Sequence, residues 1–265
     1  MNLLEKNIKE ISAVARILWE RGWAESSAGN ISVDITGSLK LPRSAFRKNR
    51  FSYIDPVYPE LSNSLFLATG TGARMRDAAE RPLETLLLLL SIDKQGSGYY
   101  RVQDASAKKE ILPTSELPVH FALHNLLRQG KSSARALLHA HPTELIALMH
   151  APECSNEGKL NDILYKMYPE ASVVNPYGVA LIPYNMTGSS DLAAKTLKGF
   201  RSNCLFLWEK HGCLAMGEDI QAAFDVVDVM NKSAQLYLLC RSAGYDPSGL
   251  SETQITELKK KFSKF

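Results

Sequence analysis

The 265-residue chain is poor in cysteine, in aromatic residues and in excess charge, and it has no long apolar run. Each shortage excludes a class of protein. Its four cysteines, Cys154, Cys204, Cys213 and Cys240, are scattered without C-x-x-C spacing. That excludes a disulfide framework and a zinc knuckle, and predicts core thiols of a cytoplasmic protein. No apolar run exceeds five residues, as at Leu86–Leu90, whereas a membrane-spanning helix needs about 20. The first stretch, MNLLEKNIKEISAVARILWERG, has charges throughout and no continuous apolar segment of the signal-peptide kind. A net charge of only +3 gives no electrostatic reason to expect nucleic acid or a membrane as partner. Neither a Walker A loop nor a G-x-G-x-x-G turn is present, which argues against a nucleotide ligand.

What remains is an ordinary globular composition, 45% hydrophobic and 22% charged, in a chain long enough to bury a sizeable core. Residues 3–21 carry apolar side chains at helical spacing, with Gly22 as a stop. SSAGNISVDI is a small polar turn leading into an alternating strand, Ile31, Val33, Ile35. Residues 36–63 predict a loop or small meander. LFLATG, ETLLLLLSID and GYYRVQ predict strands. LPTSELPVHFALHNLLRQG predicts a loop and a helix, with Pro118 in its first turn and Gly130 at its end. SSARALLHAH is a strand and PTELIALMHA a short helix. ASVVNPYGVALIPY predicts two short strands around a turn. SSDLAAKTLKGF is a helix, NCLFLWEKHGCLAMG a hairpin, and Asp219 to Ser242 a long helix. ETQITELKKKFSKF is a charged terminal helix or tail. Strands and helices interleave without linker or repeat, so residues 1–265 are expected to form one α/β domain.

The chemistry concentrates in LLHAHPTE. His139 and His141 are two apart, so on a strand both imidazoles leave the same face. Two imidazoles on a rigid strand are half of a metal site. His211, in the EKHG turn, is the candidate third ligand, and three protein ligands leave a position for substrate or water. His120 and His124, four apart on a helix, are the rival pair. Glu116, in PTSELP, is either a proton carrier beside a metal or merely a first-turn acid after a Thr114/Ser115 cap. The glycine-bearing turns SAGN (27–30) and TGTG (69–72) expose backbone N–H groups suited to phosphate oxygens, and Thr114 and Ser115 add hydroxyls.

Taken in order, AGNIS, ATGTG, PTSELPVH, LLHAHPTELIAL and EKHG followed by a long helix resemble the class II, zinc-dependent sugar-phosphate aldolase family. The resemblance runs from about Glu10 to Leu239. It implies a three-layer α/β/α fold with a mainly antiparallel central sheet, and a homotetramer with sites near subunit interfaces. It implies one Zn²⁺ per subunit on His139, His141 and His211, with Glu116 as catalytic acid/base and Glu170 as a second carboxylate. It also implies a phosphate site built from Ser27, Gly29, Asn30, Thr71, Thr114 and Ser115.

The implied reaction is reversible cleavage of a ketose 1-phosphate between C3 and C4, giving dihydroxyacetone phosphate and an aldehyde. Zinc would act as a Lewis acid on the carbanion-forming fragment. No lysine sits in the apolar strand context that would favour a Schiff base instead. PTSELP points to the branch acting on rhamnulose 1-phosphate. Ser27-Ala28-Gly29-Asn30 is closer to the fuculose-phosphate branch. A pentulose-phosphate epimerase, a non-catalytic scaffold of this fold, and a His₃ metal hydrolase are the alternatives.

Overall fold

The computed structural model describes residues 3–41, 50–85, 87–102, 111–154, 156–201 and 205–262, apart from the side chains of 84, 85, 87 and 88. Nine strands make one sheet: β1 (Asn30–Asp34), β2 (Phe51–Tyr53), β3 (Leu65–Thr69), β4 (Leu87–Ile92), β5 (Gly98–Val102), β6 (Ala136–Ala140), β7 (Val179–Ile182), β8 (Leu205–Trp208) and β9 (Gly212–Gly217). Their order is β2-β5-β4-β3-β1-β6-β9-β8-β7. Every pairing is antiparallel except β7–β8, so the expected mainly antiparallel sheet is observed.

The helices are α1 (Leu3–Glu20), α2 (Met75–Glu80), α3 (Pro82–Thr85), α4 (Leu117–Gln129), α5 (Thr143–Leu148), α6 (Glu157–Met167), α7 (Pro169–Val174), α8 (Ser190–Gly199), α9 (Ile220–Ser242) and α10 (Glu252–Phe262). They cover both faces of the sheet. On one face, α1, α5, α6 and α9 bury Ile31, Val33, Leu138, Leu207 and Ala215 in the largest core. On the other, α4 and α8 pack against Leu137, Phe206, Trp208 and Leu214, and α4 also closes a smaller cluster with Phe66, Ala68 and Leu90. This is the three-layer arrangement.

Strand alternation decides which residues meet which layer. In β1, Ile31 and Val33 enter the large core, while Asn30, Ser32 and Asp34 turn to the opposite face and are also buried. The alternation that reads as a strand with one wet face is instead a strand buried on both faces, with its polar side under α4.

Four expectations need correction or completion. ASVV is not a strand: Pro169 opens α7, which runs to Val174 and buries Ala171 against its neighbours. Pro at the first helical position is pre-set for helix, and tertiary packing overrides the strand preference of Val173 and Val174. The 36–63 stretch contains β2, an edge strand on β5, and a 3₁₀ turn at Pro59–Leu61; residues 42–49 lie outside the described residues. The charged C-terminal segment is a helix, α10, anchored by the buried side chain of Ile255. Cys154 and Cys213 are buried thiols, with burial raising both pKa values, whereas Cys240 on α9 is only half-buried and is not a core thiol; Cys204 and Leu86 lie outside the described residues. Among the described residues, no helix is long and apolar enough to cross a membrane.

Candidate metal centre and acid–base site

β6 lies between β1 and β9 and ends at the site. His139 is its penultimate residue, opposite Asn30 on β1 and Leu214 on β9. His141 follows just beyond the strand, its N–H bonded to Trp23 O at 2.8 Å. His211 arrives from the β8–β9 turn, where Lys210 takes a positive φ of 59°. Its N–H closes the turn on Trp208 O at 2.9 Å, and its ring stacks on Trp208 at 5.3 Å. One ligand atom from each of His139, His141 and His211 lies within 4.8 Å of the others.

Two glycines make this convergence possible. A Cβ on Gly212 would lie 2.5 Å from Ala140 O and 2.8 Å from His141 Cδ2. A Cβ on Gly29, at φ 77°, would press on the His139 carbonyl at 3.2 Å. At Gly212 the approach leaves no room for a side chain, and at Gly29 the tight contact and the positive φ together favour glycine.

The donor set fits a cation. His139 Nδ1 is held by Cys213 O at 2.8 Å and His141 Nδ1 by Glu25 Oε1 at 2.9 Å. With each Nδ1–H donating outward, the two Nε2 lone pairs face each other at 3.1 Å. Two acceptors cannot satisfy one another, but a shared metal ion satisfies both. Burial, with repulsion from His141, lowers His139 to about 3, and burial, with repulsion from His139, lowers His211 to about 4. Both rings therefore stay neutral, the form that ligates a metal. Burial alone would raise Glu25, but its hydrogen bond and charge interactions with the histidines bring it below the usual carboxylate range. Glu25 was not among the candidates from sequence, because nothing local in AESS marks it as a partner for a histidine 116 positions away.

Glu116 stands beside the triad. Its Oε2 is 3.6 Å from His139 Nε2 and its Oε1 is 3.9 Å from His211 Nε2. It occupies the N-cap position of α4 but makes no capping bond. Its side chain turns inward and accepts from Asn30 Nδ2 at 2.7 Å. Burial raises its pKa, with Asn30 and the histidines pulling the other way. The first-turn-acid alternative is thereby set aside.

The rival pair belongs to a different structure. His120 and His124 are fully buried, and both bond Ser32 Oγ, at 2.7 and 2.8 Å. Neither joins the triad.

The donor-bearing turns gather at the same end of the sheet. Extending the β1–β3 register sets Asn30 opposite Gly70, and Gly70 bridges to Pro113. Thr71 is tied to the 112–113 backbone, its N–H to Leu112 O and its hydroxyl to Pro113 O at 2.6 Å. Thr114 is buried, and its Oγ1 receives the Glu116 N–H at 3.3 Å. Ser27 and Ser115 are exposed. Asn30 differs from expectation: its side chain is held between Glu116 and His120 rather than turned out toward the phosphate turns. Glu170 lies exposed in the first turn of α7, a helix that packs chiefly against α6, α9 and α10.

A family model for the class II aldolase and adducin N-terminal domain matches residues 9–238. The chain belongs to the class II aldolase family. It is 34% identical to a rhamnulose-1-phosphate aldolase of Bacteroides thetaiotaomicron, over 98% of this chain and 95% of that protein. It is 31% identical to a rhamnulose-1-phosphate aldolase of Yersinia pestis, over 92% of this chain and 89% of the relative. Among solved structures, a sugar-phosphate aldolase from Thermotoga maritima superposes with a TM-score of 0.77 at 29% identity, covering 93% of this chain and 99% of the other. Class II aldolases depend on a metal, and the His139–His141–His211 cluster is where this member could bind one.

Proposed function

We propose that this class II aldolase cleaves L-rhamnulose 1-phosphate reversibly to dihydroxyacetone phosphate and L-lactaldehyde, with one Zn²⁺ on His139, His141 and His211 and with Glu116 as acid/base. The observation that carries the chemistry is a buried carboxyl with a raised pKa, 3.6 and 3.9 Å from two nitrogens of a three-histidine cluster. The choice of sugar rests on the names of the relatives that match nearly the whole chain.

Zinc supplies a Lewis acid for the negative charge that develops as the C3–C4 bond breaks. Glu116 gives a proton to C3 of the three-carbon fragment in cleavage and removes it in synthesis. Its burial suits this work, because a carboxyl with a raised pKa exchanges protons more readily near neutral pH. Trp208, packed on both His139 and His211, holds the rings and keeps one wall of the site dry.

Backbone N–H groups of the Gly29 turn and of Gly72 in the TGTG turn, with Ser27, Thr114 and Ser115, are assigned to the substrate phosphate, while Thr71 holds that turn through its own bonds to Leu112 and Pro113. Asn30, held between Glu116 and His120, is assigned to Glu116 rather than to the phosphate. The C4 hydroxyl proton is assigned to Glu170, to a group of a neighbouring subunit of a homotetramer, or to water. The enzyme is placed in the cytoplasm.

A coupled NADH assay for dihydroxyacetone phosphate, run on rhamnulose 1-phosphate and fuculose 1-phosphate, together with an assay for xylulose 5-phosphate formed from ribulose 5-phosphate, tests the assignment. Turnover of the first, abolished by EDTA and restored by Zn²⁺, is the expected result. Turnover surviving complete metal removal, or confined to another sugar, would overturn the mechanism or the substrate respectively.

A further inference from the structure

α4 presents Glu116, His120, His124 and Arg128 at intervals of four, one stripe along a single helix face. β1 presents Asn30, Ser32 and Asp34 at intervals of two, one face of a strand. Four helical residues rise about 6 Å and two strand residues about 6.6 Å, so the two rows stay in step. They meet rung by rung. Asn30 Nδ2 donates to Glu116 Oε2 at 2.7 Å. Asn30 Oδ1 faces His120 Nε2 at 2.6 Å. Ser32 Oγ faces His120 Nδ1 at 2.7 Å and His124 Nε2 at 2.8 Å. Asp34 takes Arg128 Nη2 at 2.6 Å and Nε at 2.9 Å.

This polar seam runs between apolar packing on both sides. Val119, Leu123 and Leu127 flank it in one cluster, Leu117 and Phe121 in another. Phe66 lies on the His124 ring at 4.7 Å. Burying two imidazoles, a hydroxyl and an amide costs more than an aliphatic stripe of the same shape. Its use is direction. Glu116 Oε2 accepts, so Asn30 must present its NH₂ there and its oxygen to His120. His120 then donates from Nε2 and accepts at Nδ1, so the Ser32 hydroxyl donates to it and receives from His124 Nε2–H. Every donor in the chain points toward Glu116.

We propose that His120, Ser32 and His124 are positioning residues for the acid/base carboxyl: they lock the Asn30 amide so that it holds Oε2 of Glu116 and leaves Oε1 to carry the proton. This rests on the assignment of Glu116 as acid/base. None of the three is assigned to touch substrate or metal, and their effect passes through Asn30. The third rung, Asp34–Arg128, joins the same two elements but has no bond into the chain that ends on Glu116, and serves as an internal control.

The test is solvent deuterium exchange at C3 of dihydroxyacetone phosphate, followed by NMR on the zinc-loaded enzyme, alongside kcat, KM and melting temperature. Ser32→Ala and His124→Leu should slow exchange and kcat together by about ten- to a hundredfold, as misplacement of a catalytic group does, with KM and bound metal unchanged. Ser32→Thr, which keeps the hydroxyl, and His124→Gln, whose amide can replace Nε2–H, should restore most of the rate. Asp34→Asn should lower the melting temperature and leave the exchange rate as it is. If Ser32→Ala and His124→Leu also lower only the melting temperature, the positioning role is refuted. If Glu116→Gln itself keeps full exchange, the acid/base assignment fails, a separate and distinguishable result.

Discussion

Glu25 grips His141 from behind the candidate metal centre, Oε1 to Nδ1 at 2.9 Å. The pair joins a turn to the end of β6 and fixes which nitrogen of His141 faces the other two rings. Removing such a partner typically costs about 10- to 100-fold in metal affinity. Glu25→Ala is therefore expected to weaken zinc binding by that factor, measured by chelator competition, while saturating zinc restores activity. Unchanged affinity would remove Glu25 from the site.

Gly212 tests the convergence of the backbone. A methyl there meets Ala140 O at 2.5 Å and His141 Cδ2 at 2.8 Å, so β6 or the β8–β9 turn must shift. Gly212→Ala should lower stability by about 1–3 kcal/mol, the usual range for overpacking, and should weaken zinc binding more than the same change at Gly37, which has open space around it. Thermal melts and metal titration on the two variants make the comparison.

Glu116→Gln keeps the hydrogen bond from Asn30 but cannot carry a proton. A general acid–base group contributes about 10² to 10⁴ in rate, and kcat should fall within that range. Metal content, measured by elemental analysis, should not change. A variant that loses metal along with activity would show that Glu116 supports the triad rather than the proton transfer.

His120 and His124 set a pH dependence of stability. Burial lowers both, His124 from 6.5 to about 4. Between those values the unfolded chain binds a proton that the folded chain refuses, so stability rises with pH through this window. Their contribution is complete above pH 6.5 and is lost as pH falls toward 4. For His124 the loss at pH 5 is about 2 kcal/mol. Urea unfolding of wild type and His124→Phe, both zinc-loaded, at pH 7 and pH 5 should show the smaller pH effect in the variant. Equal pH effects would mean that His124 is protonated in the native state.

Local spacing carried a large part of this molecule. H-x-H placed two imidazoles on one side of a strand end, since alternation is a property of the extended backbone alone. Apolar periodicity located α1, α4, α8 and α9 for the same kind of reason, and the ordered motifs pointed to the family. His211 is named as the third ligand by its turn and by the family resemblance, but that its ring reaches the pair depends on β9 lying beside β6, a pairing of residues about 75 positions apart. Glu25 and the polar seam under α4 were out of reach of the sequence. In the sequence Asn30 reads with the phosphate turns, Glu116 as an acid/base and His120 with His124 as a rival metal pair, and Ser32, Asp34 and Arg128 carry no reading at all. Only the packing of α4 onto β1 shows that the two rows complete each other, because a period states which side chains share a face and not what that face meets. ASVV became helix for the same reason: neighbours burying Ala171 outweighed the preference of two valines. Spacing along the chain thus fixed the elements and named the reactive side chains, while closure of the sheet decided which of those side chains are brought within bonding distance.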